Sequence, residues 1–197
     1  MYLEYPECII NDMPIQIGQR PDHGFDDSLR LLSDCHRHIE YFLRVLIAVD
    51  ERLAGGILTP AQRADLEAAL RYFETAAPKH TADEEKSLFP RLRETRNAAA
   101  AHAFEVLARL ERDHDEAEQR HRAIDTLGRR WLASGSLDPV AAGALRAHLA
   151  ALQAIYQHHI DVEDRELFPT AARMLSSSQL AEVGCEMAAR RARTATR

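Results

Sequence analysis

Apolar residues recur at the three- and four-residue spacing of amphipathic helices along four long stretches of the chain. Each stretch begins at a helix-starting residue and ends near glycine, serine or proline. The predicted helices run from Asp26 or Asp27 to about Leu53, from Thr59-Pro60 to Pro90, over about 98–133 after a cap at Asn97, and from Asp138-Pro139 to Pro169. Because short connections make consecutive helices antiparallel, the pattern predicts an all-α, up-down-up-down four-helix bundle.

Two flanking segments depart from this pattern. Residues 1–25 contain three prolines and predict an extended N-terminal arm, whereas residues 26–175 hold the bundle. After a break at Ser176–Ser178, residues 176–197 predict a short fifth helix, over about 179–192, and a basic tail, RRARTATR. We expect this tail to be solvated and frayed, and a contact with an acidic partner is the alternative.

Three prolines fall inside or at the end of the helical patterns. Pro78 lies two residues before His80 and should kink or break the second helix, because proline removes a backbone donor. Pro90 and Pro169 each follow a Leu-Phe pair and should end or bend their helices. The residue before a proline disfavours helical geometry, so we expect Phe89 to plug the end of the core.

The chain repeats itself at a separation of nearly 80 residues. Residues 80–90, HTADEEKSLFP, return as residues 159–169, HIDVEDRELFP, 79 residues later. The pair His36 and Glu40 returns 78 residues later as His114 and Glu118. The chain is therefore two copies of one unit, which predicts an internal two-fold repeat of the bundle.

Each copy holds two His-x-x-x-Glu units, and this spacing puts an imidazole and a carboxylate on one face of a helix. Ten histidines would meet a Glu at this spacing about once by chance, whereas four do. Apolar residues at helical spacing surround these pairs, and burying them uncompensated costs several kcal/mol per group. Divalent cations would offset that cost, as in other helix bundles. The predicted ligands are His36, Glu40, His80, Glu84, His114, Glu118, His159 and Glu163.

Other polar residues near these segments have lesser predicted roles. Five aspartates are expected to be mostly solvated, with one or two orienting ligand imidazoles from outside: Asp34, Asp83, Asp113, Asp161 and Asp164. His121 is expected to support the site or pack below it, and His158 is a minor ligand candidate. Tyr41 and Tyr156 are expected to pack near the ligand turns or to shield them.

Composition narrows the setting. The 197 residues suit one domain, and the net charge of −6 argues against nucleic acid as a partner. Three isolated cysteines without a CxxC motif indicate a reducing cytosol, so we expect a cytoplasmic protein. No apolar run approaches about 20 residues, which argues against a membrane span, and no secretory signal is visible.

The two Leu-Phe-Pro segments, with the other His-x-x-x-Glu units in this order, resemble hemerythrin-like (HHE cation-binding) proteins over about residues 27–175. The resemblance implies two non-haem iron ions inside the bundle, bridged by Glu84 and Glu163. The ligands that it implies are His36, His80, Glu84, His114, His159 and Glu163.

Glu118 stands where the oxygen-carrying members of that family have a further histidine, and Glu40 is its repeat partner. A site that includes both would hold four carboxylates, which balance two divalent cations and favour the oxidised metal. Such a site is expected to react with oxygen or peroxide rather than to carry oxygen reversibly.

The leading expectation is a di-iron protein that binds, senses or detoxifies oxygen, peroxide or nitric oxide. An iron- or oxygen-responsive regulatory or interaction module without turnover is the alternative, and whether the protein is an enzyme stays open. A structural site for manganese or zinc is a third reading, although zinc usually takes four ligands and more are offered here. The sequence is compatible with a homodimer.

Overall fold

The computed structural model describes residues 22–95 and 100–192, and every regular element in these ranges is helical. The α-helices are α1 (Ser28–Leu53), α2 (Pro60–Thr75), α3 (Ala77–Asp83), α4 (Phe89–Glu94), α5 (Ala100–Ser134), α6 (Pro139–Val162), α7 (Phe168–Met174) and α8 (Ser177–Ala192). Residues 1–21 of the predicted arm, the proposed cap Asn97 and the end of the basic tail lie outside the described residues.

The predicted helix starts in the described chain are confirmed. The Asp27 side chain accepts from the Arg30 N–H at the start of α1. Thr59 and Gln62 form a reciprocal capping box before α2, with Pro60 in the first turn. At the start of α6 the Asp138 carboxylate accepts from two backbone N–H groups, those of Val140 and Ala141. These caps fix where the long helices begin.

The long helices pack in a closed ring. Helix α1 contacts α2 and α6, and α5 contacts the same two helices. Apolar side chains between them form two buried clusters, a large one around Trp131 and a smaller one around Phe89 and Phe168. His36 and His114 precede the large cluster in their helices, whereas His80 and His159 follow most of it. The four histidines therefore lie at the level where the two clusters meet.

Each Leu-Phe-Pro segment follows a turn of π-helix, Glu84–Leu88 in the first copy and Glu163–Leu167 in the second. The Phe89 N–H donates to the Glu84 carbonyl, and the Phe168 N–H donates to the Glu163 carbonyl, five residues back. A proline one position later has no N–H, and its ring presses on the carbonyl four residues before it. The wide turn relieves that clash, so the prolines widen their helices and α4 and α7 continue beyond.

Pro78 acts as the sequence predicts: α2 ends at Thr75 and α3 begins at Ala77. The fifth helix is also present as α8, which packs on α1, α3 and the first π-turn. Its two arginines correct the expectation of a solvated tail, because Arg190 and Arg191 lie 2.7 and 2.8 Å from the carboxylate of buried Asp83. None of the helices in the described ranges is long and apolar enough to cross a membrane.

Candidate metal centre

Four imidazoles and two carboxylates converge inside the bundle, and all six side chains are buried. They form two groups in which the potential ligand atoms lie within 4.8 Å of one another. The first group is His36, His80, Glu84 and Glu163, and the second is Glu84, His114, His159 and Glu163. Both groups share Glu84 and Glu163, which is the arrangement of two neighbouring ion sites bridged by two carboxylates.

The distances show how the shared carboxylates span both groups. Glu84 Oε1 lies 3.3 Å from His80 Nε2, and its other oxygen, Oε2, lies 3.3 Å from His114 Nε2. Glu163 Oε2 lies 3.1 Å from His36 Nε2 and 3.2 Å from His159 Nε2. Metal ligands about 2.0–2.2 Å from one ion, at right angles to each other, lie roughly 3 Å apart. The observed separations therefore fit donors around a metal.

Two ring nitrogens of the cluster lie in contact, and the position between them suits a positive charge. His114 Nε2 lies 3.1 Å from His159 Nε2. The opposite nitrogens face carboxylates, since His114 Nδ1 lies 2.8 Å from Glu85 and His159 Nδ1 lies 3.6 Å from Asp113. Glu85 thereby fixes His114 Nδ1 as the N–H, so His114 Nε2 directs a lone pair towards His159 Nε2. A proton or a metal cation is needed between them.

The carboxylates lead to the same conclusion. All four carboxylate oxygens of Glu84 and Glu163 are buried and lack a hydrogen bond of normal geometry within the described chain. Imidazole nitrogens of His36 and His80 lie within ion-pair distance of these oxygens, at 3.1 and 3.3 Å. Buried charges without such bonds cost several kcal/mol each. Donor atoms that converge on a common point, rather than on one another, are what a cation site requires.

Electrostatics shows that protons take the place of the cation when none is bound. Although burial opposes it, the hydrogen bond to Asp164 and the neighbouring carboxylate of Glu163 raise the pKa of His36 to about 10. Against the same penalty, Glu84 and Glu85 raise the pKa of His114 to about 10. Burial and the neighbouring Glu163 raise the pKa of Glu84 to about 7. Metal binding must displace such protons, as is usual for imidazole ligands.

Outer carboxylates orient two of the ligands in matching ways. Asp164 Oδ1 lies 3.1 Å from His36 Nδ1, and it also accepts from the Ser33 hydroxyl at 2.7 Å. Glu85, its repeat partner, binds His114. Asp164 thus fills the predicted orienting role, Asp113 lies 3.6 Å from His159 Nδ1, and Glu85 is a residue beside the donors that sequence reasoning missed. Its position directly after a ligand Glu, as in Asp164, was the available signal.

Two aspartates expected to be solvated are buried instead. Asp34 binds the backbone N–H of His23 at 2.9 Å, which attaches the described end of the N-terminal segment to α1. Asp83 pairs with the two α8 arginines. Asp161 follows the prediction, because it is exposed and pairs with Arg165.

Glu40 and Glu118 do not join the site, which corrects the prediction of four carboxylates. Both are exposed, and a Glu118 oxygen lies 2.5 Å from Arg122. On α1 and α5 the buried stripe passes from the histidine to the third residue after it, Ile39 or Ala117. The fourth residue therefore falls on the outer side of the helix. The buried cluster offers four donor residues to each ion, two histidines and two shared glutamates.

The remaining candidates lie around the cluster. His158 is exposed and belongs to neither group of donors. His121 Nε2 lies 2.7 Å from the Tyr156 hydroxyl, and both side chains line a cavity that reaches His114. Tyr41 packs against Phe42.

The fold and site define a helical protein with two buried groups of histidine and glutamate donors that share two carboxylates and could hold metal cations. Residues 27–171 match the hemerythrin HHE cation binding domain, and the chain belongs to that family. Members of the family bind metal cations, typically iron. The chain is also 28% identical, over 85% of its length, to 91% of a Haemophilus influenzae protein named "Uncharacterized protein".

Proposed function

We propose that this protein holds two iron ions between His36, His80, His114 and His159, bridged by Glu84 and Glu163. The observation that carries the proposal is the 3.1 Å contact between His114 Nε2 and His159 Nε2 beside two shared, unsatisfied carboxylates. Mixed imidazole and carboxylate donors suit iron and manganese. An up-down-up-down bundle with an internal repeat is part of this proposal, and the alternating position of the histidines relative to the large apolar cluster supports it.

Four donor residues per ion leave room for a further ligand on iron, which commonly accepts more than four. Bound iron would supply electrons to dioxygen, peroxide or nitric oxide. The proposed activity is therefore to bind, sense or detoxify one of these molecules. The absence of Glu40 and Glu118 from the cluster removes the expected reason to disfavour reversible oxygen binding, so reversible binding and reaction become two measurable outcomes.

The protein's own part is to orient the imidazoles and to exclude water. The Phe168 ring stacks on His36 at 5.5 Å between centroids, and the Phe89 ring lies parallel to His114 at 6.2 Å. Each phenylalanine comes from a Leu-Phe-Pro segment and is almost completely buried. The wide π-turn thus connects a bridging glutamate to the ring that holds an imidazole of another helix.

Zinc needs to be tested alongside iron. The sequence predicts more than the four ligands that zinc usually takes, but each group of donors in the structure contains four residues. Metal analysis of natively purified protein decides the question. We expect two iron ions per chain and a visible absorption band. Two zinc ions and a colourless protein would contradict the proposed iron chemistry while leaving the site itself intact.

Residue roles are tested by comparing two conservative variants. Glu84→Gln removes a shared ligand charge, so we expect loss of at least one of the two ions. Glu118→Gln makes the same chemical change at an exposed position and should keep both ions. Metal content and the visible spectrum, before and after exposure to oxygen, peroxide or nitric oxide, are the measurements. Full metal retention in Glu84→Gln would refute the bridging role.

A regulatory module is the second candidate, and one contact favours it. Asp83, which binds Arg190 and Arg191 of α8, directly precedes the bridging Glu84. Metal binding at Glu84 would therefore be coupled, through one peptide unit, to the ion pairs that hold α8 against the bundle. If the module reports metal in this way, protease cleavage within α8 should slow on metal loading. Equal cleavage rates with and without metal would exclude this coupling.

A further inference from the structure

A cavity of about 530 Å³ opens between α2–α3 and α5 and extends to His114 and Glu85 at the metal centre. This volume lies within the range of about 300–1,000 Å³ for sites that bind organic small molecules. Dioxygen, hydrogen peroxide and nitric oxide are far smaller, since a water molecule occupies about 30 Å³ in the liquid. A passage for such molecules alone does not need this space.

Three small residues line this cavity, whereas the repeat has large residues at the equivalent positions on α6 and α1. Ala77, Thr81 and Ala117 all line the cavity. Their repeat partners are Tyr156, Ile160 and Ile39, in that order, and all three partners are buried. The ligands are duplicated, but the large side chains are present only at the equivalent positions on α6 and α1.

The lining combines apolar walls with one neutral polar pair. Leu70, Phe73 and Ile124 supply apolar surface, and the Phe73 ring stacks on His121 at 4.4 Å between centroids. His121 Nε2 and the Tyr156 hydroxyl share a hydrogen bond of 2.7 Å, while His121 Nδ1 is buried and has no partner within the described part of the chain. A hydroxyl group on a bound molecule would supply that partner.

The charged residues of the lining disfavour anions. Five carboxylates line the cavity: Glu74, Glu85, Asp115, Glu118 and Asp125. The one arginine in the lining of the described cavity, Arg122, pairs with Glu118, and Arg129, outside the lining, pairs with Glu74 and Asp125, so two arginines face five carboxylates. An anionic molecule would meet an excess of negative charge on its way to the metal centre, whereas an uncharged one would not.

We propose that this cavity binds the apolar body of an uncharged organic molecule and places its hydroxyl group at His121 Nδ1, in the space that extends to His114 beside the metal pair. The inference names the substrate class of the centre described above, and it rests on the proposed function only for the role of the metal. Binding of the organic molecule depends on the cavity and not on which metal ion is present.

Two measurements on the metal-loaded protein test binding. Calorimetric titration compares benzyl alcohol with benzoate, which matches it in size but carries a negative charge. We expect benzyl alcohol to bind at least about tenfold more tightly. A benzyl alcohol that carries a photoreactive diazirine should label peptides within residues 70–81 and 114–126. Benzoate binding as tightly as the alcohol, or labelling confined to residues 36–48 on α1, would overturn the proposal.

Variants that carry the larger side chains of the repeat partners test the position of the site. Ala117→Ile combined with Thr81→Ile introduces the repeat partners Ile39 and Ile160, and should weaken benzyl alcohol binding by about tenfold or more. Ala48→Ile makes the same change on α1 outside the cavity lining and should bind as the native protein does. Unchanged affinity in the double variant refutes the site.

Metal content separates this inference from the proposed function. A protein that holds two ions but binds neither probe refutes the cavity proposal alone. A protein without iron that binds benzyl alcohol refutes the proposed iron chemistry alone. If the double variant folds poorly, the photolabelling pattern of the native protein still decides the position of the site.

Discussion

The two copies of the repeat build the same ligands but support them differently. Each has two histidines of the cluster, a glutamate shared by both donor groups, a π-turn and a buried Leu-Phe pair before proline. Asp83 of the first copy corresponds to Val162 of the second, and Ser87 corresponds to Glu166. Asp83 is fully buried in ion pairs with α8, whereas Val162 packs in the smaller apolar cluster. The two copies thus repeat the arrangement of the ligands, but different contacts hold that arrangement in place.

Helix α8 explains the divergence, because it covers the first π-turn. Ser87 hydrogen-bonds to Glu186, and Arg91 lies 2.9 Å from Glu186 and 3.1 Å from Glu182. Gly184 lets the helix approach closely, since a Cβ there would lie 1.9 Å from the Phe25 carbonyl oxygen. We call the contacts of Asp83, Ser87 and Arg91 with α8 the polar brace. It holds the helical segment that carries Glu84, whereas an apolar contact holds the segment that carries Glu163.

The largest expected effect comes from placing the first copy's carboxylate in the second. Val162→Asp buries a carboxylate among apolar side chains, without the arginines that Asp83 has, and should destabilise the fold by several kcal/mol. Urea unfolding measures the loss, with Val162→Ala as the control for lost volume alone. A stability equal to that of Val162→Ala would mean that the two halves are interchangeable.

The reverse exchange should cost less. Asp83→Val removes the carboxylate that Arg190 and Arg191 share, and those side chains are 15% and 24% exposed, so water compensates in part. We expect a loss of about 2 kcal/mol in the free energy of unfolding, below the full penalty for breaking a buried pair. Proteolysis should then cut α8 first. Unchanged protection of α8 would show that apolar packing alone holds it.

The outer carboxylates should be equivalent between the copies, in contrast to the brace. Glu85→Gln and Asp164→Asn each remove the charge that faces a ligand Nδ1, at 2.8 and 3.1 Å. Loss of such a partner typically lowers metal affinity by about 10–100-fold. We expect both variants to fall in that range, measured by competition with a chelator. A large effect of only one would extend the asymmetry to the metal centre.

Much of this architecture could be predicted from the sequence, because local rules decide it. Caps at Asp27, Thr59 and Asp138 fix helix starts, and the repeat identifies the bridging pair Glu84 and Glu163. Both signals depend on residues close in the chain or at a fixed separation. They do not depend on how the helices rotate against one another.

The remaining features depend on that rotation and on contacts between distant segments. Helical spacing places Glu40 within one turn of His36, but the tertiary packing turns it outward. The π-turns follow from a clash at proline that can equally end a helix. The pairing of Asp83 with α8 joins residues 107 and 108 positions apart, which no local pattern specifies.

The smallest expected effect is a pH dependence confined to the brace. The hydrogen bond from Arg91 lowers the pKa of Glu186 below its usual value. A group with a lowered pKa in the folded state stabilises it above the usual pKa of Glu, and this contribution is lost as pH falls through the lowered value. Protease cleavage of α8 should therefore accelerate as pH falls below about 4.3, the ordinary pKa of glutamate. An acid-resistant protease such as pepsin provides the assay.

Glu186→Gln should abolish the acceleration that belongs to this pair, whereas Glu166→Gln, at the exposed repeat partner of Ser87, should leave it intact. Identical pH profiles for the native protein and Glu186→Gln would remove this carboxylate from the brace.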